Sequence, residues 1–426
     1  MNLHPTRLMR ALLATAGLAL VLGLALGRAE PLVLALPLLL ALLGGAGRGQ
    51  LEPQQIDFST NAETVFEGTQ LEIAITVPQP GMGGSVAIIP ALPALFRPLG
   101  VWRSPELATG TGEALAFRCR GLCEAPGILH FDAVVLRFAD RGGLWEAEWV
   151  AKPRRAVTVL PQAVPVSRLP RPLHTTALFG ENEARRAGEG VAFAEIRPFV
   201  PGDRLRAINW KISLRRQSLH ANRFHTDRQA EIVLLVDSFT VVGTRPNSSL
   251  DHVLRAAAGF AASYLRRHER VSLLEYGGIA RILGPGSGAR QYRRILEALA
   301  RAVPIQTEFA QDLAALPEQI LSRQALVIAL TPLADQRFDH AVIRLAQRGQ
   351  DVVVLALRTD ALTPWAVRPR KLAPIVRRLW RLEREERLRA LRRTGIRAVS
   401  WEANTPLDGT TGRLLAEPLR RLRRAS

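Results

Sequence analysis

The sequence predicts a transmembrane helical hairpin, then a β-sandwich domain, then an α/β domain on a doubly wound, mostly parallel sheet. Three observations carry this. Residues 11–27 and 31–47 are two uncharged, strongly apolar runs of 17 residues. Short stretches of period-two hydrophobicity separated by turn residues fill residues 55–161. From residue 228 onward, continuous apolar strands alternate with amphipathic helices, the pattern of a sheet covered on both faces. The expected boundaries are 8–47, 55–161, a linking segment 162–227, and 228–426.

Each apolar run is near the lower limit of about 17 residues for a spanning helix, and backbone groups inside a bilayer must bond within the helix. Arg7 and Arg10 precede the first run and Arg48 follows the second, while Arg28 between them is offset by Glu30. Basic residues are retained on the cytoplasmic side. Both ends of the hairpin are therefore expected inside, with the soluble domains on the cytoplasmic side of the plasma membrane. A cleaved leader is the competing reading; the second apolar run argues against it by stopping transfer.

Leu71 to Val77 alternates apolar and polar residues, a half-buried strand. Further strands are predicted over 86–89, 114–119, 128–138 and 156–160. Trp145 and Trp149 are expected to pack. Cys119 and Cys123 lack nearby histidine or cysteine partners and are expected as two reduced thiols. Prolines 161, 165, 170 and 172 mark a linker.

In the last part, Glu231 to Val236 is a buried strand ending at Asp237. Residues 249–267 form an amphipathic helix. Gly277-Gly278 joins the strand 271–276 to 279–283 as a hairpin, giving the sheet one antiparallel edge. Helices follow over 291–302, 338–348, 372–393 and 411–424, with strands over 326–330, 352–357 and 396–401. Gly349 is a natural stop for the helix before it. Ligand sites in such sheets lie at the carboxyl ends of the strands, where Asp237 and Thr331 stand.

The densest motif is residues 197–211, RPFVPGDRLRAINWK. Pro201-Gly202-Asp203 suits a tight turn. Asp203 is expected to pair with an arginine, Trp210 to act as an apolar anchor, and Lys211 to carry a charge beside it. Together with the strand 231–237, this string resembles the family of bacterial membrane proteins called domain of unknown function 58, whose usual form is R-x-Y-x-x-G-D-x-x-R-x-I-D-W-K. Phe199 replaces the common Tyr and Asn209 the common Asp. The resemblance extends to the two-helix start and the β-domain. It implies Arg197, Pro201, Gly202, Asp203, Arg206, Asn209, Trp210 and Lys211 as signature residues, acting as a structural clasp or a docking surface. It also implies a von Willebrand factor type A-like domain and, because such members are often encoded beside them, a MoxR-type AAA+ ATPase as partner in envelope assembly or stress.

Type A domains often hold Mg²⁺ through an Asp-x-Ser-x-Ser loop with a distant Thr and Asp. The corresponding positions are Asp237, Ser238, Thr240, Thr307 and Thr331. Phe239 and Val241 stand where the two serines would ligate, and Thr331-Pro332 replaces the Ser-Asp. Mg²⁺ needs near-octahedral oxygen ligands, so no metal and no cofactor is expected. A metal-dependent, adhesion-type ligand-binding domain is the alternative reading. Ser248 and Ser249 are the remaining hydroxyls able to compensate.

The sequence lacks a G-x-S-x-G elbow, a Walker loop and an H-E-x-x-H pair; Gly284–Gly288 has no following Lys-Ser/Thr. No enzymatic activity is expected. Charge is unbalanced: 57 Lys and Arg against 38 Asp and Glu, net +19. Residues 365–426 hold 17 basic residues against 6 acidic ones. Acidic protein or anionic lipid suits this excess. Nucleic acid does not, since no zinc spacing, RNA-binding signature or interleaved aromatics accompany the charge.

Overall fold

The computed structural model describes residues 3–27, 30, 33, 36, 56–77, 84–100, 107–109, 115–140, 142–171, 176–177, 193–200, 208–224, 228–304, 307, 309–363, 370–403 and 405–416. They fall into two compact units, one of Met1–Gln162 with Leu299–Arg301 and one of Ala163–Ala298 with Ala302–Ser426.

The first unit is mostly antiparallel β, with one helix and one parallel strand pair. Strand β1 (Leu3–Pro5) leads into helix α1 (Arg7–Leu26). Thr6 caps α1 by accepting from Met9 N. Eleven strands follow: β2 (Asp57–Thr60), β3 (Thr64–Phe66), β4 (Gln70–Val77), β5 (Gly84–Pro90), β6 (Phe96–Pro98), β7 (Leu107–Thr109), β8 (Leu115–Cys123), β9 (Gly127–Phe131), β10 (Val134–Asp140), β11 (Trp145–Ala151) and β12 (Arg155–Leu160). They form sheets in the orders β2-β4-β8-β6, β1-β11-β10-β5-β7 and β3-β12-β9. Alternate residues share one core: Ile73 and Ile75 of β4, Phe117 of β8, Val86 and Ile88 of β5, Leu136 of β10 and Val157 of β12. Period two in the sequence becomes one buried face per sheet.

Cys119 and Cys123 are buried free thiols, and burial pushes Cys123 up to about 11. Helix α1 is long and apolar enough to cross a membrane. The second apolar run, 31–47, lies outside the described residues apart from single positions. Trp145 packs with Leu144, Met9 and Leu12, and Trp149 packs against the β-core.

In the second unit, β13 (Thr176–Ala177) pairs with β16 (Arg228–Gln229). Between them lie β14 (Phe193–Pro198), helix α2 (Trp210–Arg216) and β15 (His220–Phe224), with β14 and β15 antiparallel. The main sheet follows: β17 (Glu231–Asp237), α3 (Ser249–Leu265), β18 (Arg270–Tyr276), β19 (Ala280–Gly286), α4 (Gly288–Ala300), β20 (Leu326–Thr331), α5 (Gln336–Gln347), β21 (Asp351–Arg358), α6 (Ala373–Arg393), β22 (Arg397–Glu402) and α7 (Leu407–Ala416). Strand order is β19-β18-β17-β20-β21-β22, parallel throughout except β18–β19. Gly278 supplies the positive φ that the edge hairpin requires.

Strand β17 is buried on both faces. Val233 and Leu235 join Phe338, Val342 and Leu345 of α5 and Leu388 and Leu391 of α6. Ile232, Leu234 and Val236 face the other way, where α3 packs. A Ser248–Asp251 capping box starts α3.

Two readings need correction. The proline-rich segment after residue 162 lies against α3: Val164 N donates to Arg255 O at 3.3 Å, Ser263 Oγ to Val166 O at 2.7 Å, and Tyr264 Oη to Pro170 O at 2.6 Å. Three hydroxyl and amide bonds fix it there instead of leaving it as a free linker. The last helix starts four residues earlier than its periodicity suggests, at Leu407, and residues beyond 416 lie outside those described.

Candidate functional site

The chain leaves β17 toward β18 on one side and returns to β20 on the other, so the carboxyl ends of β17 and β20 form the switch point where open α/β sheets offer a crevice. Asp237 and Thr331 meet there, in a closed arrangement. The Thr331 hydroxyl donates to Asp237 Oδ2 at 2.5 Å, Phe239 N donates to Oδ1 at 3.1 Å, and Leu333 N donates to Thr331 Oγ1 at 2.8 Å.

Aromatic and cationic groups cover this knot. The Phe239 ring meets Tyr276 edge-on at 4.8 Å, and the Arg337 guanidinium lies 4.5 Å from the centre of the Phe239 ring. Arg337 is held by Asp335 at 2.6 Å and donates to Thr307 O. Asp335 also caps α5 by accepting from Arg337 N at 2.8 Å. Tyr276 Oη donates to Gln311 O at 2.7 Å.

Asp237 is 2% exposed. Burial pushes its carboxyl up to about 7; the Thr331 and Phe239 donors oppose the shift, and Asp335 and Asp339 add to it. Asp339 is likewise raised by burial, although Arg387 bonds it at 2.7 Å. The Arg337 hydrogen bond, in contrast, holds Asp335 below the ordinary carboxylate range.

These residues do not fit a divalent cation. Both Asp237 oxygens are engaged, the Phe239 side chain fills a position where a hydroxyl would ligate, and a guanidinium stands over it. Ser238 is buried beside Gly277, while Thr240 is exposed. Thr307 accepts from Phe309 N at 3.1 Å. Ser248 caps α3, and Ser249 Oγ accepts from Val242 N at 2.9 Å, so both serines are used structurally. Among the described residues, no group of three or more His, Cys, Asp or Glu side chains is placed to share a cation.

The signature segment enters the unit elsewhere. It is tied through β13–β16 to the amino end of β17, six residue steps, or roughly 20 Å, from Asp237. Arg197 lies on β14 opposite Ala221. Pro201, Gly202, Asp203 and Arg206 fall outside the described residues, and with them the expected Asp203–Arg pair. Asn209 caps α2 by accepting from Ile212 N at 3.2 Å, and its N–H donates to His220 O at 2.8 Å. Asparagine thus does the capping work that aspartate does equally well. Ser213 faces inward, its Oγ accepting from His220 N at 2.9 Å.

Trp210 is the expected apolar anchor. It is 62% exposed, and Leu214, one turn on, is 78% exposed. With Ser213 and Ile212 turned toward β15, the i, i+4 face carrying Trp210 and Leu214 points to solvent. Lys211, Arg215 and Arg216 are exposed around that pair. The sequence reading missed Arg337 and Tyr276, because neither lies in a motif and both act only through tertiary contact.

A family model described as "Protein of unknown function DUF58" matches residues 195–364, which takes in α2, Asp237 and Thr331. The chain is also 25% identical over 170 residues to "Uncharacterized protein YeaD" of Bacillus subtilis (strain 168). That similarity covers 39% of this chain and 40% of the relative, so the chain spans about 40% of the length of the curated relative it matches. Among solved structures, the cupredoxin domain of amoB from Nitrosocaldus yellowstonii matches at 9% identity and TM-score 0.20, covering 26% of this chain and 90% of that one. Spo0M, a sporulation control protein from Bacillus subtilis, matches at 12% identity and TM-score 0.16, covering 26% and 50%.

Proposed function

We propose that this chain is a membrane-anchored, non-catalytic protein-interaction module. In this reading α2 is the docking surface, and the partner is an acidic face of a MoxR-type AAA+ ATPase. The carrying observation is the exposed Trp210–Leu214 pair ringed by Lys211, Arg215 and Arg216. Aromatic anchors with a basic rim are the composition of an interface centre. The parallel sheet with one antiparallel edge supports a von Willebrand factor type A-like domain as the scaffold, with its metal corner converted to a structural knot.

Anchoring is supported by α1 and by an unexpected pairing. Strand β1 precedes α1, yet it pairs with β11, which follows α1 by more than a hundred residues. That pairing supports a reading in which both ends of the membrane segment lie on one side. The apolar run 31–47 supports a return crossing. Arg7, Arg10 and Arg48 support a cytoplasmic side for both ends. Exposed Ile375, Leu379 and Leu382 on α6, beside Arg378 and Arg381, support a secondary contact with anionic lipid.

Native detergent extraction tests the reading. An ATPase of this type should co-purify with the chain, and Trp210→Ala with Leu214→Ala should abolish it while changing stability by no more than about 0.5 kcal/mol, since both side chains are exposed. Before extraction, trypsin should cut the soluble units from the cytoplasmic side alone. Unchanged co-purification in the double variant, or cleavage from the opposite side, would refute the proposal.

A further inference from the structure

A second strand-end crevice neighbours the Asp237–Thr331 knot, with Arg384 bonded to the Pro332 carbonyl beside Thr331. It is a cavity of about 570 Å³ at the carboxyl ends of β21 and β22, walled by α6 and the first turn of α7. That volume is in the range of small-ligand sites.

Arg384 of α6 forms part of its wall and is 8% exposed. Its Nη1 donates to the Pro332 carbonyl at 2.6 Å, and its Nη2 has no hydrogen-bond partner among the described residues. No carboxylate is bonded to it among those residues. Burial lowers it to about 10, and the charge of Asp360 opposes the shift. The neighbouring arginines differ. Arg358 is tied to Glu402 at 2.5 Å and to Asp360 at 3.3 Å, and Arg381 to Asp360 at 3.2 Å.

The other wall is a helix start. Gly409 and Thr410, in the first turn of α7, line the cavity. The residue before the helix is Pro406, which has no side-chain acceptor to cap it, and Asp408 turns away to bond Ser167 N and Arg168 N. First-turn amides and the positive end of the helix dipole attract an oxyanion.

We propose that this cavity binds a small phosphomonoester, with its phosphate between Arg384 and the first turn of α7. The remaining lone pairs of Glu402 then accept hydroxyl or amino hydrogens from its organic part. Arg384 gains a hydrogen-bonded counter-charge, and the first-turn amides of α7 gain an acceptor. The site is independent of docking through α2.

Isothermal titration calorimetry on the full chain in detergent tests it, with inorganic phosphate and glycerol 3-phosphate as probes. Glycerol 3-phosphate should bind one-to-one and more tightly than phosphate. Arg384→Lys, which keeps charge but loses the planar fork, should weaken it about tenfold or more. Gly409→Leu supplies a second test that does not touch a buried charge: a Cβ at Gly409 meets nothing within 4 Å, so the side chain can enter the cavity and block it without disturbing the fold. No heat with either probe, or equal affinity in wild type and both variants, marking an adventitious ion only, would overturn the proposal.

Discussion

Gly259→Val is expected to destabilise the second unit by about 3 kcal/mol or more, the range for overpacking a tight contact. A Cβ at residue 259 would sit 2.0 Å from Val164 O and 3.1 Å from Val164 C. Both are backbone atoms, so no rotamer change relieves the clash. Arg255, Gly259 and Ser263 form one stripe of α3 beneath the segment that begins at Ala163, and Arg255 O and Ser263 Oγ bond that segment on either side of the glycine. Even Gly259→Ala should destabilise. This sign is diagnostic, because alanine in an unobstructed helix gains up to about 1 kcal/mol over glycine. Gly409→Ala, where a Cβ meets nothing, should show that gain. Urea denaturation of the three variants checks the point; a stabilised Gly259→Ala would mean that the segment does not rest on α3.

Asp237→Asn should change how stability depends on pH. The Asp237 carboxyl titrates near 3.8 ordinarily and about 7 in the fold. Between those values the folded chain holds a proton that the unfolded chain has lost. Stability from this group therefore falls as pH rises through that window, and the penalty is complete above pH 7. At 1.36 kcal/mol per unit, the penalty reaches at most about 4 kcal/mol. Asparagine keeps an acceptor for Phe239 N but cannot ionise. The variant should thus be flatter across pH 4 to 7, and more stable than wild type above pH 7 once about 1 kcal/mol is allowed for reorganising the Thr331 bond. Chemical denaturation at pH 4, 6 and 8 gives the comparison; parallel profiles for the two proteins would contradict the burial of Asp237.

The architecture of the second unit is legible in the sequence because its strands are buried on both faces. Ile232 to Val236 and Leu326 to Leu330 read as uninterrupted apolar runs, and Gly277-Gly278 marks the edge hairpin by its backbone requirement. Facing was harder to read. On α6, Ile375, Leu379 and Leu382 are exposed and Arg384 is buried. Only the later part of that helix lies on the sheet, through Leu388 and Leu391. Trp210 went the same way: α2 has seven residues, and hydrogen bonds from Ser213 to His220 decide which face turns in. Three residues, Leu3 to Pro5, carry no strand signal and pair only because β11 offers an open edge.

Asp237 was legible as a strand-end carboxylate, and the missing serines were legible at Phe239 and Val241. What the sequence could not display is the replacement: Thr331 bonded to the carboxylate, and Arg337 and Tyr276 packed on Phe239. The metal-free reading of this corner rests on that replacement. Equilibrium dialysis of the full chain against millimolar Mg²⁺ and Mn²⁺ tests it most directly. The account predicts no stoichiometric uptake, and no difference between wild type and Asp237→Ala. One-to-one uptake by wild type that is lost in Asp237→Ala would contradict it.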